Sequence, residues 1–568
     1  MYIDTVPNRT SPPAILVRES FRRDGKTRKR TIANLSKLPP DVVEGIRVLL
    51  KGGTAVANPS EAFDIVRSLP HGHVAAALGT LRRLDLDRII DPKPSRERDR
   101  VLALVVARIL SPSSMLAIVR GLTPEMARNT LGETLGVGND TEDDLYAALD
   151  WLLERQGAIE GRLAERHLDD GTLSLCELTS MWVDGQPRPL APHGHSPDGK
   201  LRIEFGLMCD REGRPVAFDV FEGNIADPGT VSTQVHRFRD RFGLDRIALV
   251  DDRGMLTEDI IREDLKSAGF DWITTLREPA VLDLMESGEL EMSLFDNTDL
   301  VELRSDICPG ERLMVRRNPL LAEERAHRRE MILQATEARL ELIAAAVRRN
   351  HRPLRGRKRI RGRARKVIDR YGMSKHFDLD ISDDGFGWSR KEETIARDSA
   401  VDDLHVVRTS LPERELDADR TVLAYRRLKQ AERAFRSPNT IRPEIRPPFR
   451  HVPGRVRAHI LLCMLAHYVE WHMRERLQPL FFDDEPAAAP QGSAVAPTRA
   501  SRSTVRKERC GRTADGLQVH KLRTLLRDLA TVTRNRVVPR LPGAEPFDIT
   551  TRPTSLQQRA FDLLEVRP

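Results

Sequence analysis

Leu173-Ser174-Leu175-Cys176-Glu177-Leu178 is a short apolar run with one carboxylate inside it, and it marks a change of pattern along the chain. Upstream the apolar residues recur at helical spacing. From here they come in brief runs: Phe205 to Cys209, Val216 to Phe221, Ile247 to Val250 and Trp272 to Leu276. Turn signals such as Asp198-Gly199 and helical stretches such as Val231 to Phe242 separate them. Strands in series, then strands alternating with helices, predict a mixed α/β sheet. Glu177 among apolar neighbours costs free energy unless something compensates it. Asp252, just after the run Ile247 to Val250 and before Arg253-Gly254-Met255, lies at the carboxyl end of a strand, where ligands gather in open α/β sheets.

Working outward, residues 61–170 read as a helical domain suited to DNA binding. Val101 to Leu110 ends at Ser111-Pro112-Ser113-Ser114, where a hydroxyl can cap a new helix. Two short helices about such a turn fit either a helix-turn-helix or plain bundle packing. Residues 1–60 read as a β-hairpin arm: Ile15 to Phe21 and Thr31 to Leu35 flank a basic loop with Asp24-Gly25 as its tight-turn signal. That loop, with Arg22, Arg23, Lys26, Arg28, Lys29 and Arg30, fits a solvated turn or an arm lying along phosphates.

Downstream, residues 277–400 read as an insertion into the sheet domain, whose parts are 171–276 and 401–480. A long helix is expected from Pro319 to about Val347. Arg348 to Arg370 then carries twelve Lys or Arg and a single acid, Asp369. Like charges at that density repel unless neutralised, which favours phosphate contact. The sheet resumes at Leu404 to Thr409, followed by helices over 420–437 and Val456 to Val469. Residues 481–505 read as a linker and 506–568 as a helical tail.

The chain has 568 residues, 40% hydrophobic and 31% charged, which is enough for several globular domains. Its net charge is +7, and the basic balance suits a polyanionic partner. Five cysteines without a Cys-x-x-Cys pair indicate neither a disulfide framework nor a zinc ribbon, and fit a reducing cytoplasm. The absence of a long apolar run argues against a signal peptide or a membrane span.

A third acid, Glu432, falls mid-helix after the resumed strand. At 100° per residue, Tyr425, Glu432, Arg436 and Asn439 lie within about 60° of one another, with Lys429 beside them. An acid flanked by an aromatic and cations is an unusual composition for a solvated helix face.

Several of these segments resemble the IS4/IS1634 superfamily of bacterial insertion-sequence transposases. They are Val250-Asp251-Asp252-Arg253-Gly254-Met255, Gly223 to Pro228, Tyr425 to Arg436 and Arg457 to Cys463. The resemblance implies a ribonuclease-H-like fold with a large insertion between the second and third acids. It further implies a DDE site in which Glu177, Asp252 and Glu432 hold two Mg²⁺ ions, with Mn²⁺ as a possible substitute. Tyr425, Lys429, Arg436 and Arg253 would position the transposon-end strand, and Trp388 fits either a residue that stacks a flipped base, as in hairpin-forming relatives, or a core tryptophan. The implied partners are double-stranded DNA, as terminal inverted repeats and as target, and a second copy of the chain in a synaptic dimer. Carboxylates are the hard oxygen ligands Mg²⁺ prefers, and two ions can serve both the attacking and the leaving oxygen of a phosphodiester.

The chain departs from the family pattern at three positions. Glu177 stands where the family has Asp, and the extra methylene moves the carboxylate by about 1 Å where sites tolerate roughly 0.5 Å. Leu428 replaces the signature arginine. Asn439 replaces the signature lysine and follows Pro438, which is expected to end the helix near 437. The reading is therefore a cut-and-paste DNA transposase. Its rival is a catalytically impaired relic that binds terminal repeats without cutting them.

Overall fold

The computed structural model describes the chain apart from residues 9–11, 54–61, 169–172, 184–200, 222–229, 245, 252–255, 296–297, 318, 403, 437–452, 482–510, 514 and 541–543. It divides into two compact units, Met1–His71 with Thr531–Arg552, and Gly72–Ala530 with Pro553–Pro568.

In the first unit, β1 (Tyr2–Val6), β2 (Ala14–Arg23) and β3 (Lys26–Asn34) form an antiparallel sheet in that order. Arg23 pairs with Lys26, so the turn is the two residues Asp24 and Gly25, with φ of 54° and 73°. A two-residue turn with both φ positive matches the twist of its flanking strands, which is why Asp-Gly marks the hairpin. Val17, Leu35 and Val43 form a small core under the helix Pro40–Leu50, while the hairpin tip from Phe21 to Arg30 is exposed. The unit's other sheet contains β4 (Phe63–Pro70), a stretch the sequence pattern had assigned to the helical region. Its burial does not alternate, and its partner strand lies at the far end of the chain, so no local signal announces it.

The second unit begins with helices Gly72–Arg83, Leu86–Ile90, Arg96–Leu110, Met115–Leu122, Leu131–Leu135, Glu142–Leu153 and Gln156–His167. Arg100 to Val106 are buried without interruption, as expected of a central helix rather than a surface one. Ser114 accepts from the Ala117 amide at 3.3 Å and so starts the next helix. The bend between Arg96–Leu110 and Met115–Leu122 is 104°, within the range of a helix-turn-helix. Among the described residues, no single helix is long and apolar enough to cross a membrane.

An eight-stranded mixed sheet follows. It comprises β5 (Leu173–Val183), β6 (Leu201–Asp210), β7 (Pro215–Phe221), β8 (Arg246–Val250), β9 (Asp271–Thr275), β10 (Leu300–Leu303), β11 (Arg312–Arg317) and β14 (Leu404–Thr409). Their order across the sheet is β10-β11-β14-β9-β8-β5-β6-β7. The β5-β6-β7 meander is antiparallel, whereas β8 is parallel to β5 and β9 to β8. Helix Thr230–Phe242 leads into β8 and packs on it. β14, β11 and β10 extend the other edge by antiparallel pairing. Two strands of the segment read as an insertion therefore join the main sheet, a long-range pairing that their short, charged sequences do not reveal.

The rest of that segment has its own core. Helices Pro319–Arg348 and Arg357–Tyr371 pack with the hairpin of β12 (Phe377–Ile381) and β13 (Phe386–Arg390) around Leu333, Leu340, Ile343 and Phe377. Ile360, Ala364 and Ile368, spaced four apart, are the buried stripe of the basic helix. Helix Ala418–Arg436 then packs on the sheet, touching β5, β9, β11 and β14. Helix Pro453–Leu477 packs both on β7 and on the central helices of the preceding bundle.

The tail is only partly helical. Leu522–Leu529 and Ser555–Leu564 are helices, but β15 (Thr533–Pro539) and β16 (Phe547–Thr550) lie between them, correcting the expectation for 506–568. β15 pairs antiparallel with β4 on one side and β16 on the other.

Candidate functional site: two buried acids and a lysine

β5 is paired with β8 up to Cys176 opposite Leu249, and both strands present apolar side chains to the interior. Glu177 comes one residue after this pairing and Asp251 one residue after β8, where its amide donates to the Ile273 carbonyl of β9 at 3.2 Å. Both acids are buried, with side-chain exposures of 1% and 2%. They meet a cation from helix Ala418–Arg436: Lys429 Nζ lies 3.2 Å from Asp251 Oδ1 and 3.7 Å from Glu177 Oε1. Lys429 is itself only 13% exposed. Two adjacent buried carboxylates repel each other, and a shared ammonium offsets that repulsion.

Two other buried acids of this unit serve the backbone instead. Asp210 accepts from the amides of Glu212 and Arg214 and from the Arg214 guanidinium, which organises the β6–β7 turn. Glu160 accepts from the Phe218 amide and pairs with Arg241, fastening helix Gln156–His167 to β7. Burial pushes the carboxyls of both Asp210 and Glu160 above their ordinary values, against the pull of those arginines. Glu177 and Asp251 instead share a side chain carried in by a remote helix.

That helix is held by the residue two before the lysine. Arg427 Nη1 donates to the Glu212 carbonyl at 2.8 Å, Nη2 reaches Glu475 at 2.5 Å, and the guanidinium lies 5.3 Å from the Trp471 ring centroid. The helix comes so close that a Cβ on Gly213, at φ 78°, would stand 3.1 Å from Arg427 Cβ. The positive φ favours glycine at this position, and an added Cβ would also press on the Arg427 side chain.

The residues expected at the site divide three ways. Glu177 and Lys429 meet, as given above. Tyr425 is 8% exposed, its ring 5.9 Å from that of His405 on β14, and Leu428 is fully buried. Trp388 on β13 packs edge-on against Phe377 at 5.9 Å as a partly buried member of the insertion core. Asp252, Arg253 and Asn439 lie outside the described residues, as do the side chains of Glu432 and Arg436, which occupy the end of helix Ala418–Arg436. Asp251 was not singled out in the sequence, although the doublet Asp251-Asp252 at a strand end was there to be read.

Cations cluster elsewhere as well. On helix Arg357–Tyr371 the side chains of Arg357, Lys358, Arg359, Arg361, Arg363, Arg365, Lys366 and Arg370 are all exposed, and Asp369 faces Arg365 at 4.0 Å.

Residues 3–61 match the model for the N-terminal domain of IS1634 family transposases. The match supports an insertion-sequence transposase family over that N-terminal segment. No curated protein matches the chain. One similar solved structure is a cryo-EM structure of the piggyBac transposase synaptic complex with hairpin DNA, at 12% identity and a TM-score of 0.20. The match covers 43% of this chain and 55% of that one, so it spans about half of the piggyBac chain.

Proposed function

We propose that this chain cuts and joins DNA strands at the ends of an insertion sequence, using a ribonuclease-H-like core. Its metal-binding acids are Glu177, Asp252 and Glu432, with Asp251, which meets Glu177 at Lys429, as a further ligand of the same site. The observation that carries the reading is the convergence of two buried carboxylates on one cation where the parallel pairing of β5 with β8 ends. The ribonuclease-H-like reading draws support from the strand order: an antiparallel meander, β5-β6-β7, whose first strand is extended by the parallel pair β8 and β9.

The donor chemistry fits a hard divalent cation, because two carboxylates already face one positive charge and Mg²⁺ takes oxygen ligands. Two bound ions would supply activation of the attacking oxygen and stabilisation of the leaving one. The chain's own part is positioning. Strand β5 and the end of β8 fix Glu177 and Asp251 in a dry environment, where electrostatic interactions are strong. Glu432 lies three residues after Lys429 on the same helix and so shares its face. Arg436, Arg253 and the exposed cations of helix Arg357–Tyr371 hold the phosphates of element ends and target, and a synaptic dimer holds two ends together.

The test is a nicking assay on a duplex carrying the element's terminal repeat. Wild-type chain is expected to cut slowly in Mg²⁺ and faster in Mn²⁺, since Mg²⁺ demands near-ideal geometry and Glu177 is one methylene long. Glu177→Asp should raise cleavage, and Asp252→Ala or Glu432→Ala should abolish it. Asp251→Asn decides which acid of the doublet is needed. Cleavage that survives both Asp252→Ala and Glu432→Ala would refute the assignment. Full wild-type cleavage in Mg²⁺, slowed by Glu177→Asp, would show a backbone adapted to the longer acid.

A further inference from the structure

The two acids and Lys429 carry a formal charge of minus one in a buried setting, and three different elements bring them together. A buried ammonium is costly unless paired, and a buried carboxylate pair is costly unless neutralised. Each side therefore compensates the other. We infer that the Lys429 ammonium is a resident counter-cation that stands between Glu177 and Asp251 in the metal-free protein and competes with a divalent cation for the same carboxylates. This rests on the metal-binding reading of the preceding subsection.

The chemistry of lysine suits the role. Its ammonium is a compact point charge with three donors on a flexible stem, so it can serve two acids and withdraw by rotating its side chain. Arginine would hold a carboxylate in a fixed fork instead. Lys429 lies one helical turn before Glu432, so the helix that supplies the resident cation also carries the acid proposed to complete the metal site. Without a metal the ammonium offsets the repulsion between the two acids, and metal binding is weaker in consequence. Any divalent ion that enters must displace the ammonium or share the carboxylates with it.

The experiment uses the full chain and Mn²⁺ alone, with free Mn²⁺ measured by electron paramagnetic resonance and thermal unfolding followed in EDTA and in Mn²⁺. Lys429→Met should bind Mn²⁺ on the order of tenfold more tightly, because a positive charge about 4 Å from the site is gone. It should also melt lower than wild type in EDTA and recover in Mn²⁺. Lys429→Arg, which keeps the charge, should bind near the wild-type level. If Lys429→Met does not fold, the comparison moves to a background with less buried charge. There, Glu177→Gln with Lys429→Met should bind Mn²⁺ more tightly than Glu177→Gln alone. Equal affinities within either pair, or Lys429→Arg binding as tightly as Lys429→Met, overturn the inference while leaving the metal site intact. Failure of wild type and every variant to bind Mn²⁺ overturns the metal-binding reading as well, and so separates the two.

Discussion

Replacing Arg427 with alanine should loosen helix Ala418–Arg436 without unfolding the chain, and the size of the effect can be worked from its contacts. The bond from its guanidinium to the Glu212 carbonyl, at 2.8 Å, joins a charged donor to a backbone acceptor and is worth about 1.5–2 kcal/mol. Stacking over Trp471 at 5.3 Å adds about 0.5–1 kcal/mol. The ion pairs to Glu475 and Glu212 involve carboxylates 45% and 41% exposed, so solvent screening reduces them to a few tenths of a kcal/mol each, roughly. The total of about 3 kcal/mol corresponds to opening the helix's docking roughly 100- to 200-fold more often. Hydrogen exchange followed by mass spectrometry reads this directly, as faster exchange confined to 418–436 and the β6–β7 turn. Strand cleavage should fall in parallel, because the same helix carries Glu432. Arg427→Lys should recover part of the charge term but not the paired geometry. Unchanged exchange in Arg427→Ala would show that sheet packing alone holds the helix, and the reasoning would be wrong.

Changing Arg357, Arg361 and Arg365 to glutamine should weaken binding to all DNA sequences alike. It should also flatten the logarithmic salt dependence by up to about 2.7, since each neutralised phosphate contributes about 0.9; an unchanged slope would return this helix to a merely solvated role. In the helical bundle, Arg100 meets buried Asp140 through Nε at 2.9 Å and Nη2 at 3.1 Å. Burial works to raise the Asp140 carboxyl, but Arg100 and Arg96 outweigh it and hold the value below the ordinary one. Asp140 thus stabilises the fold above the ordinary Asp value, and that contribution is lost as pH falls through the depressed one. Arg100→Met should cost roughly 1–3 kcal/mol near neutral pH, because it leaves buried Asp140 with Arg96 as its remaining arginine partner, and lowering the pH should shrink the deficit. A deficit that is constant from pH 7 to pH 4 in chemical denaturation would contradict this.

Much of the architecture was readable because its signals are local. Asp24-Gly25 announces its turn through a backbone requirement, Ser114 its helix through a cap, and the runs from Leu173 to Leu276 their strands through apolar content. What escaped is what depends on distant partners. β4 was read as part of a helical region because its strand neighbours come from the C-terminal stretch, and β10 and β11 join a sheet their own residues do not advertise. The site shows the same division. Glu177 could be singled out by its apolar neighbours, and the doublet Asp251-Asp252 by its place at a strand end, whereas the meeting of Asp251 with Lys429 depends on how β8 and helix Ala418–Arg436 pack. The helical-face argument places Tyr425 and Glu432 on one side of their helix, but angle does not say which face turns inward, and Tyr425 is buried beside His405.

The sheet of β4, β15 and β16 has a consequence for the order of events during synthesis. His71 and Arg534, hydrogen-bonded at its edge, are 463 residues apart. At about 5–20 residues per second, a ribosome needs roughly half a minute to a minute and a half to make the second after the first. Throughout that interval β4 lacks its β15 partner, and its unpaired backbone edge, beside Phe63, Ile65 and Val66 that stay exposed even in the complete fold, is a template for pairing with other chains. A premature stop before Thr533 would make that condition permanent. Shortened copies of this gene should therefore yield chains that are cleared or aggregate rather than chains that compete for DNA.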